Sequence, residues 1–323
     1  MSALSQLYPP SPVFTEHDVD SLSGKVFIVS GGNAGIGFEL VKILYSKGGK
    51  IYIACRSESN ALKAIEELEA LSTTTTGEIK YLHLDLGDLA TIKSSVETFA
   101  AQETRLDILW NNAGVAITTD DSKTAQGHEL RIGTNCLGPY LFTKLLLPIL
   151  QKTAKNSSSA SVRVIFTSSL AVDESPEGGV CLSELEPSGH TTNQRRYYAA
   201  SKAGNFILAS EFDRRVRQDS IVCLTQNPGN LRTKIWDDVP FIARMIMKLT
   251  LHDPKLGAYT GLWAGLNKDI TVEDGGRYVI PWGRFHPGSR KDIVQGLKRK
   301  EEGGTGVAAE FWDWCELQTS QFS

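Results

Sequence analysis

Short apolar runs alternate with longer stretches of helical periodicity along most of the chain. The first run, 26–29, is rich in β-branched residues and is bounded by glycines, which is typical of a buried parallel strand. After Gly37, apolar residues recur at helical spacing, which predicts an amphipathic helix. The same succession of strand, turn and helix returns along the sequence. The pattern therefore predicts an α/β fold.

Seven apolar runs are predicted to form strands, and they are 26–29, 50–55, 79–84, 106–110, 162–166, 221–225 and 277–280. Helical periodicity over 58–71, from about residue 88, and over about 127–150 predicts helices between them. Pro148 falls near the end of the longest pattern and is expected to help to stop that helix. We predict a doubly wound, mostly parallel sheet of seven strands with helices on both faces.

The composition is that of a chain able to bury a large core. It has 323 residues, of which 41% are hydrophobic, and no linker divides it. We expect one domain over residues 1–323. Its ends are predicted to be an N-terminal arm at 1–21 and a C-terminal extension at 286–323 that finishes in an aromatic-rich helix.

Charge and cysteine content argue against several kinds of partner and location. A net charge of −3 gives no electrostatic case for binding nucleic acid or an anionic membrane. Five cysteines without paired metal-type spacing argue against a disulfide scaffold or a structural zinc site, and they fit a reducing compartment. The first twenty residues are too polar and proline-rich for a signal peptide, and no later run is apolar for the length of a membrane helix. We expect a cytoplasmic protein with no membrane span.

A glycine turn joins the first strand to the first helix. Gly31, Gly35 and Gly37 permit a tight turn, the close approach of a ligand, and close packing of the helix on the strand. The N–H groups at the start of that helix would face a ligand above the turn, and a pyrophosphate suits that place. An ordinary turn without a ligand is the alternative, because a glycine cluster alone is a weak signal.

Later motifs stand where predicted strands end. The sequence NNAG at 111–114 follows the fourth strand, Ser169 follows the fifth in TSSLA, and PGNLRT at 228–233 follows the sixth. In a doubly wound sheet, ligands bind beyond the carboxyl ends of the strands. Tyr198 and Lys202 are four residues apart at the start of a predicted helix, so they can share one face. Polar turns, a chance serine and a chance surface pair are the alternatives.

In this order, SGGNAGIG, NNAG, TSSLA and YAASK resemble the short-chain dehydrogenase/reductase family over about residues 22–285. The long segment between Ser169 and Tyr198 is similar to that of the retinol-dehydrogenase-like branch, and the chain also resembles fungal secondary-metabolism members. The resemblance implies a Rossmann sheet and a catalytic set completed by Asn135 and Lys202. It implies cofactor contacts from Gly31, Asn33, Gly35, Ile36, Gly37, Asp85, Leu86, Asn112, Ala113, Gly114, Tyr198, Lys202, Pro228, Gly229, Leu231 and Thr233.

Two residues at strand ends bear on the cofactor. Arg56 ends the second strand, where an acidic residue would bond a free ribose 2′-hydroxyl and an arginine would accept a 2′-phosphate. Because no acid is present there, Arg56 favours NADP(H) over NAD(H); an arginine that merely caps the strand is the alternative. Asp85 could touch the adenine ring, as the resemblance implies, or belong to the N-cap region of the next helix, and both roles can coexist.

The implied chemistry is hydride transfer between a nicotinamide and a carbonyl/alcohol pair. A neighbouring Lys202 cation is expected to lower the pKa of Tyr198, so that the phenol serves as acid in reduction and as base in oxidation. Ser169 would hydrogen-bond the substrate oxygen as negative charge develops on it. The resemblance gives Asn135 a kink in its helix and a bound water that leads toward Lys202. No metal is required.

Apolar residues at helical spacing over 235–256 predict either an amphipathic lid, at 234–260, or an ordinary core helix. The loop at 173–196 is expected to form one wall of the substrate pocket. The substrate is then a bulky, largely apolar ketone or aldehyde, such as a polyketide, terpenoid, steroid or retinoid-like compound. A cofactor-retaining isomerase or cyclase is the alternative function. The resemblance also implies a homodimer or homotetramer, unless the C-terminal extension covers the interface.

Overall fold

The computed structural model of the protein describes residues 4–71, 77–116, 122–186, 193–232 and 251–323. Its strands are β1 (Val26–Ser30), β2 (Lys50–Cys55), β3 (Glu78–His83), β4 (Ile108–Asn111), β5 (Val162–Thr167), β6 (Ile221–Gln226), β7 (Tyr278–Ile280) and β8 (Arg284–Phe285). Within the described ranges they form one sheet in the order β3-β2-β1-β4-β5-β6-β7-β8.

Neighbouring strands from β3 to β7 run parallel, and β8 pairs with β7 in the antiparallel sense. The prediction of a doubly wound, mostly parallel sheet is therefore confirmed. The structure adds an eighth strand to the seven predicted, because the chain turns back at Gly283, whose φ is +92°. A strand of two residues is too short to leave a periodic signal in the sequence.

The helices are α1 (Leu4–Leu7), α2 (Gly35–Ser46), α3 (Glu58–Leu71), α4 (Leu89–Ala100), α5 (Leu130–Ile132), α6 (Gly138–Ala154), α7 (Leu182–Leu185), α8 (Gln194–Val216), α9 (Pro254–Leu266), α10 (Lys291–Leu297) and α11 (Val307–Thr319). Short 3₁₀ helices lie at Glu16–Asp18, Leu170–Glu174, Arg217–Asp219, Val272–Asp274, Lys300–Glu302 and Ser320–Phe322. Among the described residues, no helix is both long and apolar enough to cross a membrane.

Helices cover both faces of the sheet. Strands β1, β5 and β6 are buried along their whole length, which is why their sequences are mostly apolar; Arg163 in β5 is charged but buried as well. One apolar core packs α4, α6, α8 and α11 against the sheet, and the other packs α2, α3 and α9 against the opposite face. The carboxyl ends of the central strands lie at one edge of the sheet, and doubly wound sheets bind their ligands at this edge.

The predicted helix over 127–150 is three pieces. Helix α5 passes into a π-helical turn, Gly133–Leu137, and then into α6, which continues to Ala154. The expectation that Pro148 helps to end the helix is wrong. Proline has no N–H to donate to the carbonyl one turn earlier. Because the Pro148 side chain is exposed, that carbonyl lies on the solvent side of the helix, where water can be its partner, and the helix continues.

Both ends of the chain pack on this framework. Near the N-terminus, Glu16 accepts hydrogen bonds from Lys255 (2.7 Å) and from the Tyr259 hydroxyl (2.6 Å), both on α9. At the other end, α11 lies on α8 and places Phe311, which has no exposed surface, in the core. The helix predicted for the aromatic-rich tail is therefore present.

Candidate active site

The glycine turn brings β1, α2 and the end of β4 into direct contact. Gly31 has a φ of +65°, and a Cβ there would lie 3.1 Å from Ala113 Cα. A Cβ on Gly37 would lie 2.4 Å from the Gly31 oxygen and 2.7 Å from Asn112 Nδ2. Both positions therefore exclude a side chain, and the two motifs predicted to bind cofactor, SGGNAGIG and NNAG, form one surface.

Ser30 joins these two motifs, a role that the sequence motifs do not assign. Its hydroxyl accepts hydrogen bonds from the backbone N–H groups of Asn112 (2.9 Å) and Ala113 (3.0 Å) and donates to the Trp110 carbonyl (3.3 Å). The Asn112 amide in turn donates to the Ser30 carbonyl at 3.0 Å. Ser30 is fully buried, so it fixes the spacing between the turn and β4.

The start of α2 is suited to an anion. The helix begins at Gly35 after Ala34, whose methyl group supplies no capping hydrogen bond. The N–H groups of the first turn, which includes Ile36, therefore lack a side-chain acceptor, and Asn33 lies just ahead of them. A helix start of this kind binds phosphate through its N–H groups and its positive dipole end.

Arg56 lies at the carboxyl end of β2, as predicted. Its side chain is exposed, and across the described ranges it forms neither a hydrogen bond nor an ion pair. Among the residues described, it is thus a cation without a partner, and it lies at the edge where the ribose of a dinucleotide would lie. Together with the bare glycine surface and the uncapped helix start, it makes the residues present compatible with a phosphorylated dinucleotide.

Asp85 and Leu86 lie in the turn between β3 and α4. The Asp85 carboxylate accepts a hydrogen bond from Gly87 N (2.8 Å), whereas Asp88 is the N-cap of α4 and accepts from Ala90 N (3.1 Å). Leu86 is 5% exposed and belongs to the core. Asp85 therefore stabilises the turn ahead of the helix, and its contact with adenine stays a prediction.

Asn135 occupies the π-helical turn and is fully buried. Its Oδ1 accepts from Val115 N (2.8 Å), and its Nδ2 donates to the Val115 carbonyl (2.9 Å) and to Ser201 Oγ (2.9 Å). The kink expected at Asn135 is present as this turn. The side chain clamps the segment after NNAG to helix α8, so it positions both of them.

Lys202 points from α8 to the ends of the strands. Its ammonium donates to the Thr167 carbonyl (3.2 Å) at the end of β5, and the side chain is 5% exposed. A Cβ on Gly114 would lie 3.3 Å from Lys202 Nζ and 3.0 Å from Asn135 Oδ1. Gly114, Asn135 and Lys202 are thus brought together. Burial lowers the pKa of Lys202 to about 8.

Tyr198 lies one helical turn before Lys202, with the Lys202 Nζ 5.7 Å from the centre of its ring. Burial raises the pKa of Tyr198, and a hydrogen bond with the Ser169 hydroxyl partly opposes that rise. The pKa of Tyr198 is therefore raised and not lowered as expected, because removal of the phenol from water outweighs any effect of the Lys202 cation. Tyr198 and Ser169 are nevertheless brought together, and Tyr198 stays protonated near neutral pH.

The segment after β6 is described only in part. Gly229 lies beside the ring of Trp282, since a Cβ there would be 2.7 Å from it, and the Pro228 carbonyl would be 3.1 Å from a Cβ on Gly257. Leu231 is 2% exposed and forms a bridge with His252. Thr233 lies outside the described residues.

Most of the predicted lid at 234–260 also lies outside the described residues. Its last part begins α9, in which Ala258 and Leu262 have no exposed surface and pack against the core that holds α2. The apolar residues from which the lid or core helix was predicted lie between 235 and 249, outside the described residues, so both alternatives stay predictions.

A cavity opens beside Ser169. The loop at 173–196 is described up to residue 186 and again from 193, and Asp173 from its start lines the cavity together with Leu170. From elsewhere in the chain come Gln6, Tyr278 and His286, so much of the described wall is polar. No sequence motif signalled Gln6, which lies about 160 residues before Ser169.

Comparison with known proteins agrees with this geometry. Residues 25–182 match the family model described as short chain dehydrogenase. A short-chain dehydrogenase/reductase of Phomopsis amygdali is 45% identical over 99% of this chain and 97% of its own length. One from Pestalotiopsis fici is also 45% identical, over 96% of this chain and 95% of its own.

Solved structures are similar in fold. An uncharacterized protein from Mycobacterium paratuberculosis has a TM-score of 0.69 and 25% identity, over 96% of this chain and 98% of its own. The NADPH-bound carbonyl reductase from chicken fatty liver has a TM-score of 0.59 and 21% identity, over 80% and 96%. Fold, site geometry and near-full-length relatives agree: the chain belongs to the short-chain dehydrogenase/reductase family, an oxidoreductase family that uses nicotinamide cofactors.

Proposed function

We propose that this protein uses NADP(H) to reduce a ketone or aldehyde of a small molecule, or to oxidise the corresponding alcohol, with Tyr198 as the acid/base. The observation that carries the proposal is the meeting of Tyr198, Ser169 and Lys202 at the carboxyl ends of the central strands. Lys202 lies next to Gly114, which follows the Asn112 and Ala113 segment that packs against the glycine turn. A reactive phenol and a dinucleotide surface are thus adjacent.

When bound, the nicotinamide supplies or accepts the hydride. The chain's own groups manage the proton and the charge on the substrate oxygen. Tyr198, protonated near neutral pH, donates its proton to that oxygen as it becomes an alkoxide. Ser169 donates a second hydrogen bond to it, which is stronger in the transition state than in the ground state.

Lys202 and Asn135 act on these groups rather than on the bond that breaks. The buried Lys202 ammonium stabilises negative charge on the nearby phenol, since the local dielectric is low. Asn135 fixes the segment that follows Gly114 and, through Ser201, the first turns of α8. Both are therefore positioned to keep Tyr198 aligned with the substrate.

The test is a reduction assay with the purified protein. We expect steady consumption of NADPH with members of a ketone and aldehyde panel, and an alcohol product for each one consumed. We expect a lower kcat/KM with NADH than with NADPH, because NADH lacks the 2′-phosphate that Arg56 would bind. Absence of turnover with every carbonyl compound under both cofactors would contradict the proposal.

Replacing Arg56 by alanine should lower kcat/KM for NADPH by about 10- to 100-fold. The reason is the loss of a charge-assisted hydrogen bond worth about 1.5–3 kcal/mol. Turnover with NADH should stay near the wild-type value, which serves as an internal control. Arg214→Ala is the matched control, because Arg214 is an exposed arginine whose described partners include Glu302. An equal loss with both cofactors would show that Arg56 does not read the 2′-phosphate.

The titration of Lys202 predicts a pH dependence. Burial lowers its pKa to about 8, so the ammonium is charged below that pH and neutral above it. The charge that strengthens Tyr198 as an acid is then lost as the pH rises through about 8. We expect kcat/KM for reduction to fall over this range. We expect Lys202→Met to have a lower kcat/KM that does not change as the pH passes through about 8. A wild-type profile that is flat there, or that rises, would refute this role.

A further inference from the structure

The N-terminal segment reaches the cavity beside Ser169. Gln6, on α1, is 5% exposed and lines that cavity, although Leu4 on the same helix is 64% exposed. The segment is tied down on both sides of Gln6, since Arg284 donates to the Ser5 carbonyl and the Leu7 carbonyl lies 2.9 Å from His252 Nε2. Gln6 is thus held at the site by neighbours that do not need its side chain.

A chain of hydrogen bonds determines which end of the Gln6 amide is free. Gly229 N, which can only donate, gives its hydrogen bond to Asn227 Oδ1 (3.0 Å). Asn227 must then use Nδ2 as a donor, and Gln6 Oε1 accepts from it at 2.9 Å. The remaining end of Gln6 is the Nε2 amino group, which has two N–H donors.

Those donors have no partner among the described residues. Within the described part of the chain, Gln6 Nε2 makes no hydrogen bond, and its side chain is more than nine-tenths buried. The Nε2 group keeps some accessible surface toward the cavity, so a ligand that supplies an oxygen there gains a hydrogen bond. Ser169, which serves the reacting carbonyl, lines the same cavity.

We propose that Gln6 determines substrate specificity by donating a hydrogen bond from Nε2 to a second oxygen of the substrate, so that the preferred substrates are ketones with a further carbonyl oxygen near the reacting carbon. The inference rests on the proposed function, because it treats the cavity at Ser169 as the substrate site. It adds a second hydrogen-bond acceptor to the bulky, largely apolar carbonyl compound that the sequence predicts as substrate.

The test compares β-keto esters with the matching simple ketones in the full-length protein. Gln6→Leu removes the amide, whereas Gln6→Glu keeps an oxygen for Asn227 and replaces the free amino group by an acceptor. Leu4→Ala, at the exposed position of the same helix, is the control. With NADPH, we expect wild type and Leu4→Ala to favour keto esters in kcat/KM. Both Gln6 variants should lower the ratio of keto ester to simple ketone by about tenfold or more.

Other results would overturn the inference. An unchanged ratio in both Gln6 variants would do so. So would a Gln6→Glu variant that behaves as wild type while Gln6→Leu loses both substrates, since Gln6 would then serve Asn227 alone. Calorimetric binding of the keto ester to the protein with NADP⁺, where no reduction takes place, separates this question from the proposed function. If no ketone is turned over, the proposed reduction is refuted. The Gln6 contact still stands in that case if wild type binds the keto ester and the Gln6 variants do not. If wild type does not bind the keto ester, the Gln6 contact is refuted.

Discussion

Tyr198→Phe is expected to lower kcat/KM for carbonyl reduction by about 10²–10⁴-fold, the range for loss of a general acid. The substitution removes one oxygen and leaves the ring, so the packing of α8 should be unchanged. Without the phenol hydroxyl, the substrate oxygen loses the proton donor that lies next to Ser169. The negative charge that forms on this oxygen is then not neutralised by proton transfer. Binding of NADPH, followed by its fluorescence, should change little, because the glycine surface is untouched.

Tyr197→Phe provides the matched control for this effect. Tyr197 is the preceding residue, is 4% exposed, and donates its hydroxyl to the Glu184 carbonyl at 3.1 Å. The same chemical change there should cost about 1 kcal/mol of unfolding free energy and leave kcat/KM near the wild-type value. Equal losses of activity in the two variants would indicate damage to the helix and not loss of an acid.

Phe311→Ala should lower the free energy of unfolding by about 3–5 kcal/mol, as for other large-to-small changes in a core. The Phe311 side chain has no exposed surface and stacks on Trp314, with ring centres 5.8 Å apart. It also lies 3.2 Å from where a Cβ on Gly204 would be, two residues after Lys202. Chemical denaturation followed by circular dichroism would measure the loss.

Leu317→Ala is the control on the same helix. Leu317 is 70% exposed, so its truncation leaves no cavity and should change the unfolding free energy by less than about 0.5 kcal/mol. A similar small effect of Phe311→Ala would mean that α11 does not pack on α8 in solution. Trp312 of α11 also packs on Tyr140 of α6, so α11 covers a broad face of the domain. The predicted homo-oligomer would then assemble either through another face or through the outer surface of α11.

The sheet was predictable because its information is local. The run at 26–29 is apolar and β-branched since β1 is buried on both faces, and β5 and β6, which are also buried along their length, are mostly apolar. The motifs at strand ends could be placed together because parallel strands bring their carboxyl ends to one edge. Gly31 and Gly37, as well as Tyr198 and Lys202, therefore lie where their spacing suggested.

The other features depend on contacts that are distant in sequence or on solvent exposure. Gln6 reaches Asn227 only through the packing of α1, which no periodicity encodes. Pro148 is tolerated inside α6 because it faces water, and a sequence pattern does not show which turn of a helix is exposed. The pKa of Tyr198 is set by burial that its neighbours in sequence do not determine.

The central claim is that the protein promotes hydride transfer from a bound nicotinamide to a carbonyl carbon. Tyr198, the buried Lys202 and the dinucleotide surface act together in this transfer. The most direct measurement uses NADPH that carries deuterium at the transferable position of its nicotinamide ring, with product analysis by mass spectrometry. The account predicts an alcohol with one deuterium on the former carbonyl carbon, formed by wild type and Tyr197→Phe and almost lost in Tyr198→Phe. A product without deuterium, as from an isomerase or cyclase that only retains the cofactor, would contradict it.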